Sequence, residues 1–106
     1  MVSVLTAPKM TGLRLRSMAV GRECTVRLPY CNNDPETVVG AHIRRANQAG
    51  IGQKPCDLAL VYACSSCHDA IDGRVIIPGL TKLELDQAIL HALCRTLHIV
   101  AHDFGI

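Results

Sequence analysis

Residues 57–73 read DLALVYACSSCHDAIDG, and this stretch decides the fold. DLALVYA, residues 57–63, is a short apolar run with Val and Tyr and reads as a β-strand. It runs directly into Cys64-x2-Cys67, the spacing one turn needs to aim two sulfurs at one metal ion. Ser65 or Ser66 would cap a short helix over about Cys67–Asp72, and Gly73 would stop it. His68 follows the second sulfur, and Asp72, four residues on, shares its helix face.

Upstream lies a second cysteine pair. Cys24 and Cys31 bracket TVRLPY, which contains Pro29, and Asn32-Asn33-Asp34-Pro35 follows with strong turn chemistry. Four thiolates from the two pairs would make a closed tetrahedral zinc site. The alternative is four buried cysteines without a common role. Between the pairs, TVVGAHI at 37–43 alternates and is β-branched, giving a strand with His42 near its end. Residues 44–56, RRANQAGIGQKPC, form a loop, so the two strands make a hairpin with a long connection. LRLRSMAV at 13–20 suits one or two helical turns, ended by Gly21.

Downstream, Thr81-Lys-Leu-Glu84 is a capping box. Leu85, Ile89, Leu93 and Leu97, with Ala88, Ala92 and Val100, then recur at helical spacing, giving an amphipathic helix over about 81–101. The remaining cysteines, Cys56 and Cys94, are expected to be small buried hydrophobes. His91, His98 and His102 read as ordinary helix residues.

The chain has 106 residues, enough for one domain, and only three aromatic residues: Tyr30, Tyr62 and Phe104. A core of Leu, Ile, Val and Ala alone is small, so a metal clip would decide stability. Structural zinc contributes about 10–16 kcal/mol in small peptides, against about 5–15 kcal/mol for a whole domain. No stretch reaches the length of a membrane span. MVSVLTAPKM makes a poor secretion signal, so a cytoplasmic setting is expected, with thiols on metal rather than in disulfides. Net charge is +2, but it is unevenly spread. Residues 1–54 hold eight Lys/Arg against three acids, and residues 55–106 hold three against six. The basic half suits a phosphate backbone.

A strand-end histidine, a loop, a strand and a C-x2-C-H helix together resemble the ββα-metal finger of HNH (His-Me finger) nucleases. GREC, CNNDPETVVGAHIR, the G-x-G-x-K-P-x-D run at 50–57 and ACSSCHDAIDGR resemble the YbcO-like putative prophage nucleases more closely, over about residues 14–74. The resemblance implies metal-dependent hydrolysis of DNA phosphodiester bonds. His42 would be the general base, and His68 and Asp57 would be ligands of a catalytic Mg²⁺ or Mn²⁺. Arg44, Arg45 and Lys54 would hold the DNA backbone. A histidine of ordinary pKa near 6.5 suits the base role. Many HNH enzymes carry Asp or His just before the base; here that residue is Ala41, and Asp57 stands where the middle Asn is usual.

The expected architecture is therefore α+β: a flexible tail at 1–12, then a single HNH-like domain at 13–106. Its zinc-stabilised ββα core would span about 21–74, followed by the long C-terminal helix. Two other functions fit the same residues. One is a non-catalytic zinc finger that binds nucleic acid. The other is a zinc-stapled interaction domain whose long helix forms a homodimer.

Overall fold

The structure is a computed structural model and describes residues 11–44 and 56–106. The expected tail at 1–12 lies almost wholly outside the described residues, as do Arg45, Lys54 and most of the loop between the strands. The elements run α1 (Gly12–Ser17), a 3-10 turn (Pro35–Thr37), β1 (Val39–His42), β2 (Leu60–Ala63), α2 (Ser65–Ile71) and α3 (Lys82–Asp103). This is a small α+β fold with a two-stranded sheet and a long C-terminal helix.

β1 and β2 pair antiparallel, with Val39 opposite Ala63, Gly40 opposite Tyr62, Ala41 opposite Val61 and His42 opposite Leu60. Both strands are shorter than their apolar runs. β1 starts late because Asp34 caps the 3-10 turn, its Oδ1 accepting from Glu36 N at 3.0 Å, which keeps Thr37 out of the sheet. β2 starts at Leu60, after a turn closed by Ala59 N on Cys56 O at 2.9 Å. Every residue of β2 is buried, because α3 packs on this strand while α1 packs on β1. Gly40 permits that second contact: a Cβ there would lie 2.9 Å from Arg16 Cα, so the backbone of α1 rests directly on β1.

α1 is shorter than residues 13–20 suggest. Thr11 caps it, accepting from Arg14 N at 3.2 Å, and the chain leaves the helix after Ser17. Gly21, at φ 78°, then turns it toward the first cysteine.

α3 begins on the expected capping box: Glu84 N donates to Thr81 Oγ1 and Thr81 N to Glu84 Oε1, both at 3.1 Å. It runs two residues beyond the expected end. Its buried stripe is Ile89, Ala92, Thr96 and Val100. Leu97, expected on that face, is 45% exposed. The stripe advances by three or four residues, so position 96 faces the core and position 97 is rotated about 100° away. Cys94 is exposed for the same reason, and Cys56 is exposed beside the loop, so neither is the buried hydrophobe expected. Among the described residues no helix is long and apolar enough to cross a membrane.

Thr96 earns its buried place by hydrogen bonding. Its hydroxyl donates to Ala92 O at 2.7 Å and meets Thr25 Oγ1 at 2.9 Å. Thr25 in turn accepts from Tyr62 N at 3.1 Å, while its own N–H donates to Tyr62 O at 2.7 Å. One buried threonine pair thus ties the first cysteine segment to β2 and α3. Arg22 and Asp103 add an ion pair between the same two segments.

Candidate metal centre and histidine site

The four cysteines converge. The Sγ atoms of Cys24, Cys31, Cys64 and Cys67 all lie within 4.8 Å of one another. A tetrahedral ion with Zn–S bonds of about 2.3 Å needs sulfurs about 3.8 Å apart. The Cys31–Cys64 separation is 3.6 Å, so the donor set fits, and the cluster could hold a metal ion such as zinc. Cys24, Cys64 and Cys67 are buried and Cys31 is partly so. The Cys67 thiol, hydrogen-bonded to Cys24, pulls the Cys24 thiol down to about 4, against the opposing effect of burial. The same bond, with burial, pushes Cys67 far above its ordinary value, and burial raises Cys31. Of these three sulfurs, Cys24 is the one its surroundings favour as a thiolate. A divalent cation held by the four sulfurs would replace the protons on the others.

The chain reaches this arrangement by specific turns. Leu28-Pro29-Tyr30-Cys31 closes with Cys31 N on Leu28 O at 3.0 Å, and Tyr30 takes the left-handed third position at φ 68°. Arg27 and Asn33 are also left-handed, at φ 56° and 54°. Each such residue costs about 1–3 kcal/mol, which the surrounding contacts must offset. Part of the offset comes from Asn32, whose Nδ2 donates to Thr37 Oγ1 at 3.2 Å and to Ser65 Oγ at 2.9 Å. Ser65 is thus the first residue of α2 rather than its cap. The cap is Cys64, whose sulfur accepts from Cys67 N at 3.4 Å.

The histidines are held differently. His42 ends β1 with its side chain only 16% exposed. Its Nε2 is buried without a hydrogen-bond partner among the described residues and lies 3.8 Å from Asp57 Oδ1. Asp57 also touches α1: a Cβ on Gly12 would fall 2.8 Å from its Oδ1. His68 sits in the first turn of α2, and its Nε2 is 3.2 Å from Asp72 Oδ2. Arg74 completes that group, bonding Asp72 at 3.1 Å and Asp69 at 3.0 Å. Arg44 is exposed just beyond β1.

The structure therefore pairs His42 with Asp57, and His68 with Asp72. Among the described residues, the cysteines are the only group of three or more His, Cys, Asp or Glu side chains close enough to share an ion. Sequence reasoning passed over Asn32, Thr37, Thr25 and Thr96. The run of Asn and Thr after Cys31 was the available signal for the first two; a lone Thr on an apolar stripe was the signal for the last.

Comparison with known proteins agrees with this construction. A family described as "Putative nuclease YbcO" matches residues 13–104. The protein named "Putative nuclease YbcO" in Escherichia coli strain K12 is 57% identical over 85 residues, covering 77% of this chain and 84% of the relative. "Putative nuclease ybcO" of Enterobacteria phage 82 matches with the same identity and coverage. A solved structure of a putative bacteriophage protein from Escherichia coli K-12 MG1655 superposes with a TM-score of 0.69 at 40% identity, covering 86% of this chain and all of that one. With the family match extending from α1 through α3, this chain belongs to the YbcO family of putative nucleases.

Proposed function

We propose that this protein is a metal-dependent endonuclease that hydrolyses DNA phosphodiester bonds by an HNH-type mechanism, with His42 as general base. The observation that carries this reading is the buried Nε2 of His42, without a hydrogen-bond partner among the described residues, at the end of a strand in a strand–strand–helix unit. A neutral imidazole with its proton on Nδ1 keeps the Nε2 lone pair free, and a water admitted beside it with substrate would be activated there. Accepting the proton creates an imidazolium, and the Asp57 carboxylate 3.8 Å away stabilises that charge.

A Mg²⁺ or Mn²⁺ ion, held by His68 and Asp57 together with substrate oxygens, would polarise the phosphate and stabilise the leaving oxygen. As they stand, these two residues face Asp72 and His42, so they make no close ligand set by themselves. Arg44, with Arg45 and Lys54 outside the described residues, would hold the DNA backbone. The cysteine cluster, loaded with zinc, supports the ββα unit and takes no part in the chemistry. We place the enzyme in the cytoplasm. A homodimer would let so small a chain reach both strands of a duplex.

The second reading, a zinc finger that binds nucleic acid without cutting it, is favoured by one observation. Ala41 is buried at the position where many HNH enzymes carry a ligand, and β1 turns adjacent side chains to opposite faces. The test is nicking of supercoiled plasmid by zinc-loaded protein with Mg²⁺ or Mn²⁺, beside His42→Ala. Cutting by the wild type alone, with zinc and fold retained in the variant, supports the catalytic reading. An inert wild type on linear, supercoiled and branched DNA hands the site to the binding reading.

A further inference from the structure

The chain's positive charge looks N-terminal in sequence, but folding moves part of the other half beside it. Arg95 and His98 on α3 line a groove of about 470 Å³ with Arg22, Arg27 and Thr25 of the cysteine segment. Glu23 is the one acid in its lining. Glu23 and Arg27 also line an adjoining hollow of about 230 Å³ that reaches Cys24, Asn33 and Pro35, so the two spaces share a wall.

The guanidinium groups here are already positioned. Arg95 donates one N–H to Thr25 O at 2.7 Å, and Arg27 donates Nε–H to Cys24 O at 3.3 Å. Arginine has five N–H donors in a rigid fork, so each of these anchors leaves donors for a ligand. Arg22 is balanced by Asp103, which leaves Arg27 and Arg95 as the main cations. Planar, always-charged donors suit phosphate oxygens, and the bond to Thr25 O already holds Arg95 in place.

We propose that this groove is a second seat for the DNA phosphate backbone, held by Arg27 and Arg95 with His98, in addition to Arg44, Arg45 and Lys54. The proposal rests on the nuclease reading and extends it to how substrate is held. Because Arg27 hangs on the carbonyl of Cys24, the seat is mounted on the metal centre rather than on the histidine site.

The test is binding of a labelled DNA duplex, by fluorescence anisotropy, to zinc-loaded His42→Ala protein across a salt series without Mg²⁺ or Mn²⁺. Arg27→Gln is expected to weaken binding roughly five- to tenfold near ~0.1 M salt and to reduce the log–log salt slope by about one phosphate contact. His98→Gln should weaken it less. Glu23→Gln should tighten it. Lys82→Gln, which removes the same charge at the far end of α3, should leave the slope unchanged. Arg95→Gln is run as well, but its bond to Thr25 makes Arg27 and His98 the decisive positions. Equal losses from Arg27→Gln and Lys82→Gln would reduce the effect to net charge and overturn the groove. Unchanged binding in Arg27→Gln and His98→Gln, with a wild type that binds and nicks, overturns the groove and leaves the nuclease reading intact. A wild type that does not bind DNA removes both.

Discussion

The sulfur cluster and the histidine site are neighbours in sequence, meeting at Cys67–His68, yet they are built on opposite plans. The sulfurs are buried and gathered, all four within one ion's reach. The histidines are partly exposed and paired off, each against its own carboxylate. A closed set of ligands is what a structural ion needs, because nothing else has to enter. A reacting site must leave room for substrate, so its groups stand apart until substrate arrives. The difference teaches that a gathered, buried donor set suits an ion that holds a fold, while separate, partly exposed pairs suit a site that substrate must enter.

The harshest trial of this contrast is Cys64→Ser. It removes one donor from a cluster that could hold zinc, and structural zinc is worth about 10–16 kcal/mol, as much as a small domain's whole stability. Loss of bound zinc and of the cooperative thermal transition is expected, read by metal analysis and circular dichroism. A variant that still melts cooperatively without zinc would show the core to be self-sufficient. His42→Ala should do the reverse, keeping zinc and melting temperature while nicking falls roughly 10²- to 10⁴-fold. Comparable loss of stability in both variants would erase the distinction drawn between the two sites.

Thr96→Val probes the joint behind the cluster. It removes the hydroxyl that meets Thr25 in a buried setting, at an expected cost of about 1–3 kcal/mol in urea denaturation. Zinc content should not change. Arg74→Gln acts on the other side of the comparison. Arg74 is 61% exposed, so its pairs with Asp69 and Asp72 should contribute less than about 1 kcal/mol. A larger effect on nicking than on stability would place His68 in the chemistry through Asp72.

The slightest effect belongs to Glu84. Bonds from the Thr81 backbone N–H and hydroxyl hold its carboxyl below the usual value of 4.5. A folded-state value lower than the unfolded one gives stability that is present above the unfolded value and lost as pH falls through the folded one. Acid titration of the melting temperature should therefore flatten slightly in Glu84→Gln.

The parts of this molecule readable from residues alone are those set by local chemistry. Thr81 and Glu84 make their capping box within a single turn, and Cys64 and Cys67 are joined by one as well. The strand pair was legible from its β-branched runs, though Asp34 and Pro35 claimed residues that the alternation assigned to β1. What escaped depends on contacts across the chain. Thr96 looks like an interruption until Thr25, 71 residues away, is set beside it. Arg95 belongs to an acidic half by sequence and to a basic groove in space. Around the histidines, the positions of His42 and His68 were legible, but their pairing with Asp57 and Asp72 leaves no assembled ligand set for a second ion among the described residues. The i+4 spacing already put Asp72 rather than Asp69 on the helix face of His68, and the structure brings its Oδ2 to 3.2 Å from the imidazole.

Cys64 carries a consequence for any assay that uses chelators. Its sulfur is both a prospective metal ligand and the acceptor that caps α2 through Cys67 N. Stripping an ion bound there would remove the charge that holds the sulfur in place, and so loosen the cap. The helix that begins there carries His68 in its first turn. Inactivation by EDTA would consequently look the same whether it took an ion from the phosphate or from the cysteines. Assigning a metal to catalysis here requires restoring Mg²⁺ or Mn²⁺ to protein whose zinc has been counted and found intact.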